Sequence, residues 1–576
     1  MPAFRPITLT LGLALAWTLP ATAQTETPGL AGAYLAARQA DTDHDFAAAV
    51  EWYGKVLLAD PANPALLERA ITNDLALGAV DKAAQSGALL LKSGAKNQIA
   101  YLAVLTADIQ AENYAKVIAD QKAGNTIGAL LDHLVLAWAE VGSGNMTQAQ
   151  SDFDAVISSP GTKTFGLYHK ALALASTGDF EGADKLLASP DAQAALQLRR
   201  AVLAHVQILS QLERDADAVA LIDRAFGKRL DDGMADLRAR LVKGETVRFD
   251  IATSARDGLA EVFFTLATAL GDQADQTFVL LYARAATALR PDHVEAQLMT
   301  ATILESLDQM ALAAQAFGAV PPGDAAYVAA QIGAAEVTLR MGKVDDAVKQ
   351  LQTLNTAKPA DINVLTALGD AQRRQNQCGL AVKSYDAAIA LLPNPEPGNW
   401  PLFYKRAGCQ VQNGQWSKAE ADFRFALKLD PNQPRVLNEL GYSYVDRGEN
   451  LDEALQMIQT AVAAAPDQGY IIDSLAWAYY RMGRMQDAVA PLEKASKLMP
   501  VDPVVTDHLG DVYWSVGRKR EAQFQWHRAL SFGPDDKDRA RIQRKLDIGL
   551  DKVLEAEKAA APAVPSAIPP AIPNDN

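Results

Sequence analysis

An all-α solenoid of paired helices is the fold this sequence predicts, and three observations predict it. Pro431, Pro466, Pro500 and Pro534 fall 35, 34 and 34 residues apart. Each follows an alanine by five residues (Ala426, Ala461, Ala495, Ala529) and another by twelve (Ala419, Ala454, Ala488, Ala522). An apolar residue followed by a small one recurs in step, as Leu440-Gly441, Leu475-Ala476 and Leu509-Gly510. A Gly or Ala where two helices cross lets their backbones approach, and a Pro cannot continue the helix it follows.

A period of 34 with this pattern is that of tetratricopeptide repeats, each a helix–turn–helix, which stack into a right-handed superhelix. Gly369, Ala381, Tyr385, Ala388 and Pro393 make another full unit, and Pro359 and Pro291 end weaker ones. Near the amino end, Phe46, Ala49, Tyr53 and Pro61 fit the second helix of a unit, with Ala36-Ala37 at the crossing. Between them the match thins to a turn glycine or a small residue, as at Gly78/Ala83, Gly144/Ala149 and Gly178/Ala183. The period is consistent with about fourteen helix pairs.

The expected organisation is a divergent array over 24–230, an irregular joint or altered repeat over 231–258 containing Gly233, Gly244 and Gly258, and a regular array over 259–534. A capping helix over 535–558 and a disordered Ala/Pro-rich tail over 559–576 follow. Residues 1–23 read as a secretory signal: Arg5, an apolar stretch from Ile7 to Leu19, Pro20, then Ala21-Thr22-Ala23 before Gln24. No Cys follows that stretch to carry a lipid, so a soluble periplasmic or exported protein is expected. Beyond the amino terminus no run is apolar and long enough to span a membrane.

Composition narrows the function. A net charge of −15 argues against a nucleic-acid binder, which presents a basic face. Hydrophobic residues make up 49% of the chain, yet a solenoid needs no central core, because each unit buries its face on its neighbours. None of the seven histidines stands at a metal-binding spacing, and there is no Walker loop, G-x-S-x-G or G-x-G-x-x-G. No enzyme activity, cofactor or metal is expected. The two cysteines, Cys378 at the start of a second helix and Cys409 in the next first helix, are placed to close a disulfide in an oxidising compartment.

Function is then expected on the inner surface, lined by the first helix of each unit. With the crossing Gly/Ala as the eighth residue, the second, fifth, ninth, twelfth and thirteenth face inward. They are Arg435, Asn438, Tyr442, Val445 and Asp446, then Tyr470, Asp473, Trp477, Tyr480 and Arg481, then Val504, Asp507, Asp511, Trp514 and Ser515. The expected partner-binding groove is Arg435, Asn438, Tyr442, Tyr470, Asp473, Trp477, Tyr480, Arg481, Asp507, Asp511 and Trp514. Aromatics and Arg are the types that carry interface energy. Tyr444, Tyr479 and Tyr513, at the eleventh position, are expected to pack between helices. The Lys/Asn set that grips a peptide carboxylate in chaperone-binding repeats is absent. The runs Leu437–Asp446, Gly469–Arg484, Asp507–Trp514 and Gly258–Phe264 resemble a family of bacterial envelope tetratricopeptide proteins. Some members are outer-membrane lipoprotein adaptors that bring substrates to a periplasmic carboxy-terminal processing protease. The resemblance implies protein partners, such a protease and its substrates among them, although this chain lacks the lipid-bearing Cys. The expected function is a periplasmic protein-interaction scaffold, as a protease adaptor or an envelope-assembly factor; an aromatic groove that stacks on glycan or peptidoglycan is the alternative.

Overall fold

A computed structural model describes residues 29–192, 198–227 and 230–560. The expected signal over 1–23 lies outside the described residues, as does the expected tail except for its first two residues, which end the last helix. The described residues form 31 α-helices, three short 3-10 turns and no strand. The chain is a tetratricopeptide-repeat solenoid. No helix among the described residues is long and apolar enough to cross a membrane. Two compact units divide at Gln309/Met310.

In the second unit six helix pairs follow one another, from Tyr327–Arg340 with Val344–Ala357 to Pro503–Ser515 with Lys519–Ser531. The pairs between them that form the groove are Pro434–Arg447 with Leu451–Ala464 and Gly469–Arg481 with Met485–Leu498. Starts are built locally. Pro434 and Pro503 occupy the first turn, and the Asp502 carboxylate caps the amides of Val504 and Val505. The crossing glycine has the expected reason: a Cβ on Gly510 would stand 2.4 Å from Trp526 Nε1. First helices of successive pairs touch one another directly, more than second helices do, so they lie on the inside of the curve. Where one capping helix is expected over 535–558, two form, Asp536–Ile548 and Leu550–Ala560. Gly549 breaks them with φ +85, a conformation that L side chains rarely adopt.

The first unit holds six pairs from Leu30–Thr42 to Asp215–Phe226, then Asp232–Val242 and a non-helical stretch before Ala255. The next pair, Ala255–Leu270 with Gln276–Leu289, leaves the simple stacking order. It packs against the first helices Pro64–Leu77, Gln98–Gln110, Ala129–Gly142 and Lys163–Ser176. Arg284 Nε donates to the Ala76 carbonyl at 2.9 Å, and Gln110 Nε2 to the Ala288 carbonyl at 2.9 Å. Gly258 lies on the buried Trp138 ring, where a Cβ would stand 2.4 Å from ring carbons. The inner face of the amino-terminal repeats is therefore filled by the chain's own helices.

Candidate partner-binding groove

The inner face of the second unit is built from Pro434–Arg447, Gly469–Arg481 and Pro503–Ser515. Arg435 and Arg481 are exposed; Tyr442, Tyr470 and Trp477 are half-buried. Asn438, Asp473 and Tyr480 are buried. These residues come together as a ladder across two helices. The Trp477 ring lies parallel to Tyr480, centroids 4.8 Å apart, and to His508 of the next first helix at 3.9 Å. His508 Nδ1 stands 3.0 Å from both Asp473 oxygens. Burial disfavours the charged imidazole, but the Asp473 carboxylate, with Asp507 and Asp511 nearby, outweighs burial and raises the His508 pKa above its ordinary value. Arg481 donates to Asp446 through Nη1, 3.3 Å from Oδ1, and through Nη2, 3.0 Å from the carbonyl oxygen.

Asp507, Asp511 and Trp514, expected to be open to a partner, are instead engaged by the chain's own last two helices. Lys545, with no exposed side-chain surface, donates to Asp507 Oδ2 at 2.7 Å and to Asp511 Oδ1 and Oδ2 at 2.6 and 2.8 Å. Trp526 Nε1 donates to Asp511 Oδ1 at 3.0 Å, and Trp514 Nε1 to Asp551 Oδ2 at 3.0 Å. Burial pushes the Asp507 carboxyl up to about 6, helped by the Asp511 charge and opposed by Lys545.

The eleventh-position tyrosines point away from the groove. Tyr444 OH donates to Glu420 at 2.5 Å and Tyr513 OH to Glu493 at 2.8 Å, while Tyr479 OH accepts from Gln459 at 3.1 Å. Each carries an arginine over its ring: Arg424, Arg518 and Arg484. The inward positions chosen from the sequence left out the sixth, which holds Glu439 and His508. On a helix it lies one residue from the fifth and three from the ninth, close enough to share the face, and that geometry is the signal that would have found both. Lys545 sits outside the regular period and had no such signal.

The thiols of Cys378 and Cys409 lie 2.7 Å apart, both buried, between the helices Cys378–Ala390 and Trp400–Gln412.

The fold and the groove define a class, the tetratricopeptide-repeat solenoids. Residues 404–469 match the family model described as tetratricopeptide repeat. Among curated proteins, the chain is similar to the TPR repeat-containing protein PA4667 of Pseudomonas aeruginosa, with 30% identity over 210 residues. That match spans 36% of this chain and only 35% of the relative's length. A solved tetratricopeptide repeat protein from Parabacteroides merdae is 18% identical, with a TM-score of 0.37, covering 45% of this chain and 98% of its own. The Cut9–Hcn1 hetero-tetramer of APC/C is 15% identical with a TM-score of 0.38, covering 90% and 96%. Tetratricopeptide repeats imply a protein–protein interaction scaffold.

Proposed function

We propose that this chain is a non-enzymatic scaffold, exported to the periplasm, that holds a partner protein on the inner face of its second unit. The observation that carries the reading is the set of half-exposed rings, Tyr442, Tyr470 and Trp477, between the exposed Arg435 and Arg481 on one face. In the first unit the equivalent face is already filled by Ala255–Leu289, so the second unit is the one with a face to offer. The finer role of adaptor for a carboxy-terminal processing protease rests on the resemblance of Leu437–Asp446 and its companion runs to envelope adaptors. Capture from periplasmic extract after mild cross-linking tests this. Tyr442→Ala is expected to weaken capture by about 2 kcal/mol, the scale of a truncated interface aromatic, with the helical spectrum unchanged. Equal capture by the variant, or sedimentation with the sacculus in place of protein partners, would sink the proposal. Trp477 is the poorer probe, because its stack with Tyr480 and His508 also supports the fold.

We further propose that Cys378 and Cys409 are joined as a disulfide in the exported protein. Thiol-reactive probe applied to denatured, unreduced protein is expected to label neither, and both after reduction. In the chain-entropy account a loop of this length contributes roughly 3–4 kcal/mol, felt by the neighbouring repeats. Labelling of both without reductant would show that the bond is absent.

A further inference from the structure

The plane of Trp477, a half-exposed ring of the groove, is set by a neighbour from the next repeat. His508 of Pro503–Ser515 lies against it, centroids 3.9 Å apart and planes 14° from parallel, and Tyr480 stacks on it at 4.8 Å and 16°. His508 is held in turn by Asp473, one helical turn before Trp477, with Nδ1 3.0 Å from each carboxylate oxygen. Charge reaches the imidazole from three helices. Its own brings Asp507 and Asp511, and Gly469–Arg481 brings Asp473. Asp536–Ile548 brings Lys545, at 2.6–2.8 Å from Asp507 and Asp511, and Arg541, 3.8 Å from Asp507 and 3.4 Å from Asp511. Arg541 is shared with Glu557. The flanking second helices commit Glu493 to Tyr513 and Arg518, Glu521 to Arg518, and Lys519 to the Trp514 ring. Arg481 is turned to Asp446. Three carboxylates thus meet one whole cation and one shared cation, and a protonated His508 supplies the balance. An imidazolium lying flat on an indole also gains a cation–π attraction that the neutral ring lacks.

We propose, resting on the groove reading above only for what the ring meets, that His508 and Asp473 form a pH-sensitive support for Trp477: protonated, the imidazole holds the ring flat in the groove, and deprotonated, it lets the ring go. Loss of the proton removes the attraction to the indole and leaves buried Asp473 without its cation. A looser arrangement, in which water reaches Asp473 and the ring leaves the stack, is then favoured. A group whose pKa is raised by folding contributes fully below its unfolded value, about 6.5 for an imidazole, and loses that contribution as pH rises through the folded value. The ring is therefore set on the acid side of the folded value and freed on the alkaline side, where a partner resting on Trp477 is held less well. Asp507, pushed up to about 6 by burial, changes charge below this interval.

The test reads the ring with no partner present. The full chain is labelled with 5-fluorotryptophan, and the Trp477 resonance is the fluorine signal missing from Trp477→Phe. That resonance is expected to shift in a single step with its midpoint above about pH 6.5. Its displacement on exchanging H2O for D2O, which reports ring exposure, is expected to grow across the same step. His508→Phe, which keeps a ring in the stack but takes up no proton, is expected to abolish the step. Asp473→Asn, which leaves the imidazole in place, is expected to move the midpoint down. The Trp416 resonance, from a ring beneath Arg447, is expected to stay where it is and, with circular dichroism, reports that the variants are folded. Absence of the step, a step that survives His508→Phe, a midpoint unmoved in Asp473→Asn, or a step with no change in exposure would overturn the proposal. Should His508→Phe fail to fold, the Asp473→Asn midpoint decides. A missing step leaves the capture result with Tyr442→Ala untouched, and a failed capture leaves the step untouched, so the two readings fall separately.

Discussion

Lys545→Met will destabilise the carboxy-terminal end of the second unit by about 3–5 kcal/mol, the usual loss when one member of a buried ion pair is removed. The ammonium has no exposed surface and is held at 2.6–2.8 Å by Asp507 and Asp511. Asp511 is equally enclosed, with 1% of its side chain exposed. Methionine matches the length of the stem but leaves two carboxylates facing each other with only the more distant Arg541 guanidinium, 3.4 Å from Asp511 and 3.8 Å from Asp507. The Asp507 carboxyl, already raised by burial and by Asp511, will rise further. In an array each repeat leans only on its neighbours, so the loss will be local. Hydrogen exchange over 503–560 will rise, while the Tyr327–Arg340 pair is unaffected. The double change Lys545→Met with Asp511→Asn will recover part of the loss, because the unpaired charge is reduced. A loss below about 1 kcal/mol would mean that water reaches the site and that it behaves as a surface pair.

Glu261→Gln will have a comparable effect in the first unit. Its carboxylate has no exposed surface and accepts from Arg200 Nε at 2.8 and 3.0 Å, and Arg200 Nη1 also donates to Glu295 at 2.7 Å. Arg200 belongs to Arg199–Gln211 and Glu261 to Ala255–Leu270, so this pair ties the inserted helices to the array around them. With glutamine the guanidinium is left buried and one charge short, at a cost of about 3–5 kcal/mol. Burial alone would raise the Glu261 pKa, but Arg200 and His293, whose Nε2 lies 3.2 Å from Glu261 Oε1, together outweigh burial and hold it at about 2. A depressed carboxylate adds stability above its unfolded pKa and loses it as pH falls through the folded one. This part of the acid sensitivity therefore lies between about 4.3 and the folded value. His169 adds a second window. Burial lowers it to about 4, so the unfolded chain takes up a proton from about 6.5 downward while the folded one does not, and stability falls across that interval. Chemical melts of the wild type will weaken in both windows. In Glu261→Gln the lower window will shrink but persist, because Glu295, which burial would raise but His293 and Arg200 hold below its ordinary value, still titrates there, and the His169 window will remain. An unchanged acid profile in the variant would show that the pair does not set the acid limit.

The fold class was legible in the sequence because it rests on nearest-neighbour packing. Gly441 and Gly510 mark crossings within one pair, and Pro431 and Pro466 stand two residues beyond helix ends at Leu429 and Ala464. Such contacts span one repeat length, so they recur with its period and can be counted. Contacts between successive first helices recur for the same reason, as Trp477 on His508 and Arg481 on Asp446. What the tertiary structure alone decided are contacts without a period. Arg284 meets Ala76 across 208 residues, and Arg200 meets Glu261 across 61. No local pattern announces that Ala255–Leu289 fills the amino-terminal face. Asp507 and Asp511 hold inward positions, as the register requires, yet a lysine from outside the repeat occupies them. The repeat period sets which side chains point inward, because helical geometry is local; which of them stay open to a partner depends on what else the chain folds against that face.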